Sequence, residues 1–490
     1  MFWSLRYILF PVLYITGQVL SAFSLVMLVP AGVSLLYQDG AIYGFEIGAA
    51  VSFCVGLLLQ ILTRSKRREL RPRDGFLLAT IIWISIPLVA SIPLMLEIPG
   101  ISFTHAYFET MSGTTTTCAT VLSGLDVLPE SINFWRCFLS WLGGMGILVL
   151  AVAILPLLGV GGAQIFRAET SGPMKETRLT PRIADTAKGF WWIYVAISVA
   201  CALSYHAAGM DLLDSIMHMF TTVSLGGFSS HDASFGFWDN SEIETVAIVF
   251  MLICGSSFSM HFLAWRNRSP LVYFRNPEFH AWLAIAATAV GSVTAILLVN
   301  GTYDDLPTAL RYAAFNVMSV ISTTGYANTD YALWPIAAPI IMLFCSCFAT
   351  CGGSTGGGVK MMRAIILVKE TMREFVLIMN PNAVLPLKVA GNKVETRILF
   401  QILAYMLLWI VVLVLSSITL MITGLDLDTS FSAIVACITN LGPGIGEVGP
   451  ATTFGSLTDL QLWLCTFCML VGRLELMTVF VLFSRSFWRL

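Results

Sequence analysis

The sequence predicts an all-α polytopic membrane protein: four span–pore helix–span repeats around a pseudo-fourfold pore, plus two N-terminal spans. Three observations lead there. The 490 residues are 57% hydrophobic and only 11% charged, against roughly 25% charged in an average soluble domain. Apolar runs long enough for a hydrocarbon layer of roughly 30 Å recur from Tyr7 to Phe487, with no soluble-type segment longer than a loop. Between some of them lie semi-apolar stretches too short to cross, each ending in small and hydroxyl residues.

Spans are expected at 8–36, 43–63, 75–97, 133–158, 189–209, 243–264, 281–300, 332–368 (interrupted), 398–423 and 460–484. The opening MFWSLRYILFPVLYITGQVL is longer than a signal-peptide core and lacks a small-residue cleavage pattern, so it reads as a retained first span. Of the 27 Lys and Arg, 24 fall on one side of this scheme: Arg6, the clusters in 64–73, 167–188, 266–275 and 360–397, and Arg485 and Arg489. The positive-inside rule makes that side cytoplasmic, with both termini inside. Arg136, Arg311 and Arg473 remain. Arg136, at the outer start of a span, reads as a snorkelling anchor. Arg311 reads as part of an outer-surface ion pair, near Asp304 and Asp305. Arg473 sits about halfway along the last apolar run, where a charge costs at least about 2.5–3.5 kcal/mol, so a cavity or a partner is expected.

Several function classes drop out. A net charge of -2 makes no case for nucleic acid. The eleven cysteines sit mostly within apolar runs, so no disulfide framework is implied. Cys345-x-Cys347 and Cys465-x-x-Cys468 lack converging His or carboxylate and read as packing residues. An intramembrane enzyme needs a nucleophile with its base, or a metal motif, on facing helices; none is present, nor do the six histidines show ligand spacing. GGSTGGGVK, residues 352–360, is not a phosphate-binding loop, because Val359 separates Gly358 from Lys360 and Met361 follows. Its five glycines would instead break an apolar helix in mid-membrane.

The short stretches are THAYFETMSGTTTTCATVL, LLDSIMHMFTTVSLGGFSS, ALRYAAFNVMSVISTTGYA and SFSAIVACITNLGPGIGEV. They align on Cys118, Gly226, Gly325 and Gly442, at separations of 108, 99 and 117 residues. The first and third copies also share Phe108 and Phe315 ten residues before the anchor, and Ser112 and Ser319 six before it. The chain therefore divides into two extra helices in 1–70 and four repeats in 71–166, 167–275, 276–380 and 381–490. Irregular backbone at membrane depth is tolerated only when buried in protein or lining a watery cavity. Four such strips around one axis would form a pore. Each preceding half-span would point its partly negative C-terminal end inward, favouring a cation. Carbonyl and threonine oxygens would then replace the ion's water. Acidic residues at the outer mouth (Asp126, Glu130, Asp232, Asp304, Asp305, Asp330, Glu447) would enrich cations locally.

The phrasing SGTTTTCATVLSGLD, WLGGMGILVLAVAILPLLGVGG, STTGYANTDY and NLGPGIGEVGP resembles the Trk/Ktr/HKT cation transporter superfamily, in detail its TrkH/TrkG-type potassium uptake branch, over essentially the whole chain. The resemblance implies potassium uptake across the bacterial cytoplasmic membrane through a gated, channel-like pore. It assigns a potassium-binding filter to Thr116, Thr117, Cys118, Ser224, Leu225, Gly226, Thr323, Thr324, Gly325, Asn440, Leu441 and Gly442. The first strip departs from the pattern, with Cys118 at the usual glycine. In plant relatives a serine there goes with sodium preference, so a poorly discriminating cation pathway is an alternative. The gate falls on Gly352, Gly353, Ser354, Thr355, Gly356, Gly357 and Gly358, with Arg473 as an electrostatic barrier partly neutralised by Glu475 or a passing ion. A symporter coupled to protons or sodium is the other alternative, but carriers place ionisable groups near the midplane, and apart from Arg473 the span cores lack them. No covalent cofactor is implied, and potassium is the transported ion. Nucleotide would act only through a separate cytosolic TrkA-like regulator. The expected assembly is a homodimer in the lipid bilayer, with 167–188 and 360–397 as docking surfaces and no nucleic-acid partner.

Overall fold

Helices make up nearly all the regular structure of the computed structural model, which describes residues 2–64, 71–153, 183–348 and 350–488. Among these residues, six helices are long and apolar enough to cross a membrane, and eight if each of two bent pairs counts as one span. The first span joins α1 (Phe2–Val26) to α2 (Leu28–Tyr37), and the Met27 amide still donates to the Phe23 carbonyl across the junction. Next come α3 (Ile42–Thr63), α4 (Pro72–Glu97), α5 (Phe103–Thr114), α6 (Glu130–Ala153), α7 (Ile183–Ala207) and α8 (Leu212–Ser224). The chain continues through α9 (Ser241–Cys254), α10 (Phe258–Asn267), α11 (Leu271–Phe274), α12 (Pro277–Val299), α13 (Leu306–Ile321), α14 (Ala337–Ser346) and α15 (Met361–Met379). It closes with α16 (Thr396–Ile422), α17 (Leu427–Ile438), α18 (Asp459–Arg473), α19 (Leu476–Phe480) and α20 (Arg485–Trp488). The end of the span expected at 133–158, and most of the basic segment 167–188, lie outside the described residues.

The N-terminal pair packs through small residues. A β-carbon on Gly17 would lie 2.6 Å from the Gly56 carbonyl, and one on Gly56 would lie 2.5 Å from Ser21 Oγ. Ser52 Oγ donates to the Leu20 carbonyl at 2.9 Å. With no hydrophobic drive between helices in lipid, this close backbone approach and interhelical hydrogen bonding hold the pair. Their other faces, and those of α16, show bilayer-type surface: Leu57, Leu58, Ile61, Leu62, Leu407 and Leu415 are exposed.

Among the described residues three spans are broken. The interruption expected in 332–368 falls between Ser346 and Met361. Two others read as continuous in the sequence and are not. The span at 243–264 turns by 88° between α9 and α10, and that at 460–484 by 109° between α18 and α19. Hydropathy does not register a break whose freed backbone groups are satisfied elsewhere. The Gly255 carbonyl accepts from Cys351 N at 3.1 Å, and the first free amide of α10, Phe258 N, donates to the Gly353 carbonyl at 3.0 Å. At the second break Glu475 adopts φ 58 and pairs with Arg363 at 2.7 Å.

The stray arginines are also placed differently from expectation. Arg136 is no interface anchor: it is 1% exposed and pairs at 2.8 Å with Glu109, whose side chain is fully buried. Arg311 pairs with Glu244 at 2.7 Å and Asp239 at 2.8 Å rather than with Asp304 or Asp305. Asp305 instead caps α13 by accepting from Thr308 N. On the far side of α15, a two-residue hairpin joins β1 (Lys388–Val389) to β2 (Asn392–Lys393). Its Leu387 and Val389 pack on Met362, Ile366, Leu399 and Ile402.

Candidate functional site

Four short helices, α5, α8, α13 and α17, have 12, 13, 16 and 12 residues. At about 1.5 Å per residue none can cross a bilayer. Each begins on a side chain that caps a free amide: Ser102 accepts from His105 N, Asp211 from Leu213 N, Asp305 from Thr308 N and Asp426 from Thr429 N. Each ends in the same way. Thr116, Leu225, Thr323 and Asn440 take a left-handed backbone, with φ of 53, 54, 60 and 55. The amide just after each reaches back five residues: Thr117 N to Ser112 O, Gly226 N to Thr221 O, Thr324 N to Ser319 O and Leu441 N to Ala436 O, all at 2.8 Å. This is the Schellman termination, which normally uses glycine at the left-handed position. Here four side-chain-bearing residues occupy it, at about 1–2 kcal/mol each. Such strain persists only where the surrounding structure imposes it.

Two residues further on, the backbone is left-handed again, at Cys118 (φ 70), Gly227 (φ 51), Gly325 (φ 92) and Gly442 (φ 101). The second strip is therefore in a register one residue later than the sequence alignment proposed. Gly227, not Gly226, is the backbone counterpart of Gly325, and Gly226 matches Thr117, Thr324 and Leu441. The dipeptide Gly226–Gly227 offers two candidates, and only the backbone conformation distinguishes them.

The strips close on one another. A β-carbon on Gly227 would collide with the Thr324 carbonyl and one on Gly325 with the Leu441 carbonyl, while one on Gly442 would lie 2.5 Å from the Thr117 carbonyl. Second meets third, third meets fourth and fourth meets first, so the order around the axis follows the chain. Only glycine permits these approaches. Cys118 Sγ projects inward and lies 3.8 Å from the Gly325 carbonyl oxygen on the diagonal strip. Thr117, Leu225, Thr323, Thr324, Asn440 and Leu441 are all 0% exposed. Among the described residues no hydrogen-bond donor approaches the carbonyls of Thr116, Thr117, Leu225, Thr323, Thr324, Asn440, Leu441 or Gly442. Buried main-chain carbonyls nearly always have partners, so a ring of them without a donor calls for another ligand.

Behind the strips, hydroxyls pair with one another: Thr115 with Thr117 and Ser322 with Thr324, both at 2.7 Å. Asn440 Nδ2 donates to Thr117 Oγ1 and to the Met469 carbonyl at 3.0 Å.

The glycine-rich segment between α14 and α15 lies against the inner ends of the short helices. Thr355 Oγ1 donates to the Val223 carbonyl at 3.1 Å, and Gly357 N to Thr323 Oγ1 at 2.8 Å. A β-carbon on Gly357 would collide with the Thr439 carbonyl. Arg473, 4% exposed at the end of α18, donates from Nη1 to the Thr355 carbonyl at 2.8 Å and from Nη2 to the Gly143 carbonyl at 3.4 Å. Glu475 does not neutralise it, because Glu475 turns away to Arg363. Two of its nitrogens are held by carbonyls while the buried Nε has no partner among the described residues, and as the last residue of α18 it also meets that helix's negative end. Glu278, 1% exposed in the first turn of α12, accepts from Gly352 N at 2.6 Å. Lys360 Nζ donates to the Gly356 carbonyl. The sequence reading missed Glu109, His218 and Glu278. The signal available for the first two was weak: Glu109 and Asn316 lie nine residues before Cys118 and Gly325, but His218 joins them only when counted from Gly227, and the fourth copy has Ala433 there.

The model of one protein family, described as TrkH, cation transport protein, matches residues 43–490. The chain belongs to the TrkH family. A TrkH-family relative from Halomonas elongata, named Trk system potassium uptake protein TrkH, is 42% identical over 479 residues, 98% of this chain and 99% of its own. The protein of the same name from Escherichia coli (strain K12) is 41% identical over 476 residues, 97% of this chain and 98% of its own. The crystal structure of the potassium transporter TrkH from Vibrio parahaemolyticus superposes with a TM-score of 0.90 at 39% identity, covering 98% of this chain and all of that one. The TrkH-family fold therefore extends over nearly the whole chain. The protein is an integral membrane protein and a transporter, not an enzyme. Among the described residues no group of three His, Cys, Asp or Glu is placed to hold a metal ion.

Proposed function

We propose that this protein takes up potassium across the bacterial cytoplasmic membrane through a gated, channel-like pore whose selectivity filter is the four strips. The observation that carries the proposal is the ring of buried carbonyls without donors. Such oxygens can stand in for the water shell of a desolvated monovalent cation, and the C-terminal ends of four short helices add a negative field at the same place. The names of the TrkH-family relatives point to potassium as the cargo. The segment from Gly352 to Gly358 acts as the gate. It fills the inner side of the ring, and Arg473 opposes cations there while holding the segment through Thr355. Cys118 narrows the ring where the other strips carry glycine, and so lowers potassium over sodium discrimination.

Both termini lie in the cytoplasm. A homodimer and a cytosolic TrkA-like nucleotide-binding regulator complete the proposal. In support of docking there, α15 exposes Val368, Met372, Phe375 and Ile378, beside the exposed Lys369.

The test is flux into liposomes from purified protein, with potassium, rubidium, sodium and lithium, with and without a regulator. Potassium and rubidium should enter down their own gradients and faster than lithium. Flux that requires an imposed proton or sodium gradient would replace the channel by a coupled carrier, and no monovalent cation flux at all would sink the proposal.

A further inference from the structure

Counting back nine residues from the left-handed anchors Cys118, Gly227, Gly325 and Gly442 gives Glu109, His218, Asn316 and Ala433. In three repeats that side chain holds its own strip just beyond the anchor. The Glu109 carboxylate accepts from Thr120 Oγ1 at 2.9 and 3.1 Å and from Val121 N at 2.9 Å. His218 Nε2 lies 2.9 Å from Ser229 Oγ. Asn316 Nδ2 donates to Asn328 Oδ1 at 2.5 Å. In the fourth repeat alanine cannot reach, and its neighbour Ser432 takes over, accepting from Ile445 N at 2.8 Å and donating to Ile445 O at 3.0 Å. All four side chains that make these bonds are buried, at 1% exposure or less. The repeat therefore includes a brace from each short helix to the outgoing limb of its strip.

The first brace does more than the others. Glu109 also binds Arg136 Nε at 2.8 Å, and the guanidinium continues to the second strip. Its Nη1 donates to the Ser229 carbonyl at 3.2 Å and to Asn133 Oδ1 at 3.2 Å, and Nη2 donates to Thr120 Oγ1 at 3.3 Å. Its Cζ lies 4.5 Å from the ring centre of Phe228, the residue after Gly227. One buried ion pair thus ties the outgoing limbs of two neighbouring strips together, and one of those strips has cysteine rather than glycine at its anchor.

We propose that Glu109 and Arg136 are filter-positioning residues that set cation discrimination by fixing the spacing of the first and second strips. Neither touches the ion. Discrimination between ions of one charge is set by the spacing of the coordinating carbonyls or by their number and field strength, and an ion pair that joins two strips bears on both. The inference rests on reading the strips as the filter.

Wild type, Glu109→Gln, the double variant Glu109→Gln with Arg136→Met, and His218→Ala are reconstituted, and rubidium and sodium influx are measured together with the thermal midpoint of each protein. Glu109→Gln keeps the shape and leaves the arginine without its counter-charge. The double variant removes both charges, and His218→Ala cuts the uncharged brace of the second strip. The rubidium to sodium ratio should fall, on the order of tenfold for the Glu109 variants and less for His218→Ala. An unchanged ratio in folded variants overturns the proposal, and so does a proportional loss of both fluxes, which would make the pair scaffold only. Should the Glu109 variants fail to fold, His218→Ala decides by the same criterion. A wild-type protein that passes no monovalent cation would instead count against the filter reading itself.

Discussion

Cys118 is held at φ 70 beside three glycines in the equivalent conformation, so this strip alone carries a side chain there. Its thiol is only half-buried and lies 3.8 Å from the Gly325 carbonyl oxygen. A sulfur in that position restricts how the Gly325 carbonyl can turn toward an ion. Replacing it also relieves about 1–2 kcal/mol of left-handed strain. Cys118→Gly is therefore expected to raise the rubidium to sodium influx ratio by several-fold and to leave the protein at least as stable. Dual-isotope uptake in vesicles checks this, and an equal ratio in both proteins would remove Cys118 from the account of selectivity.

Two elements carry further expectations. The inner segment is tethered at Arg473 through the Thr355 carbonyl and at Glu278 through the Gly352 amide. Hydrogen bonds to charged groups contribute about 1.5–3 kcal/mol each. Arg473→Ala and Glu278→Ala should each free the segment and raise rubidium influx per folded protein, by about tenfold where one such bond is lost. A fall in influx with normal folding would deny the tethers a gating role. The second element is the outer junction of the first two repeats, outside the spans. There His231 lies 2.5 Å from Asp126 and 3.2 Å from Asp214 and stacks on Phe237. Burial pushes the imidazole down, but the hydrogen bonds it donates to Asp214 and Asp126 outweigh it and hold its pKa above the ordinary 6.5. Burial pushes the two carboxyls up, but the bonds from His231 outweigh that too and hold both below the ordinary 3.8. Stability from His231 is thus complete below pH 6.5 and is lost as pH rises through its raised value. That from the carboxylates is present above 3.8 and is lost as pH falls through their lowered values. Glu130 and the buried His218 also interact with Asp214, and Asp211 interacts with Glu130. The difference in melting temperature between wild type and His231→Gln should be largest in mildly acid buffer and shrink at alkaline pH; a difference that does not vary with pH would count against the clamp.

For the whole molecule, the distribution of basic residues makes a prediction about sidedness. Val384, 94% exposed beside the hairpin, should be cytoplasmic, whereas Leu333, 83% exposed after the third strip, should be external. In a Cys118→Gly background, Val384→Cys should react with an impermeant maleimide only in inside-out vesicles and Leu333→Cys only in right-side-out ones. The reverse pattern would overturn the topology. The location of the apolar helices, the four semi-apolar stretches and the helix break at 352–358 were all legible in the sequence. Each depends on the composition of one stretch of chain: transfer into hydrocarbon, residue length against membrane thickness, and the backbone freedom of glycine. The second-strip register, the breaks after Cys254 and Arg473, the Glu109–Arg136 pair and the carbonyl partners of Arg473 were not. These were decided by which groups meet: Arg473 and Gly143 are separated by 330 residues of chain, and Arg136 and Ser229 by 93. A buried charge signals that it needs a partner, but only the packed structure determines whether that partner is a carboxylate, as for Arg136, or a carbonyl, as for Arg473.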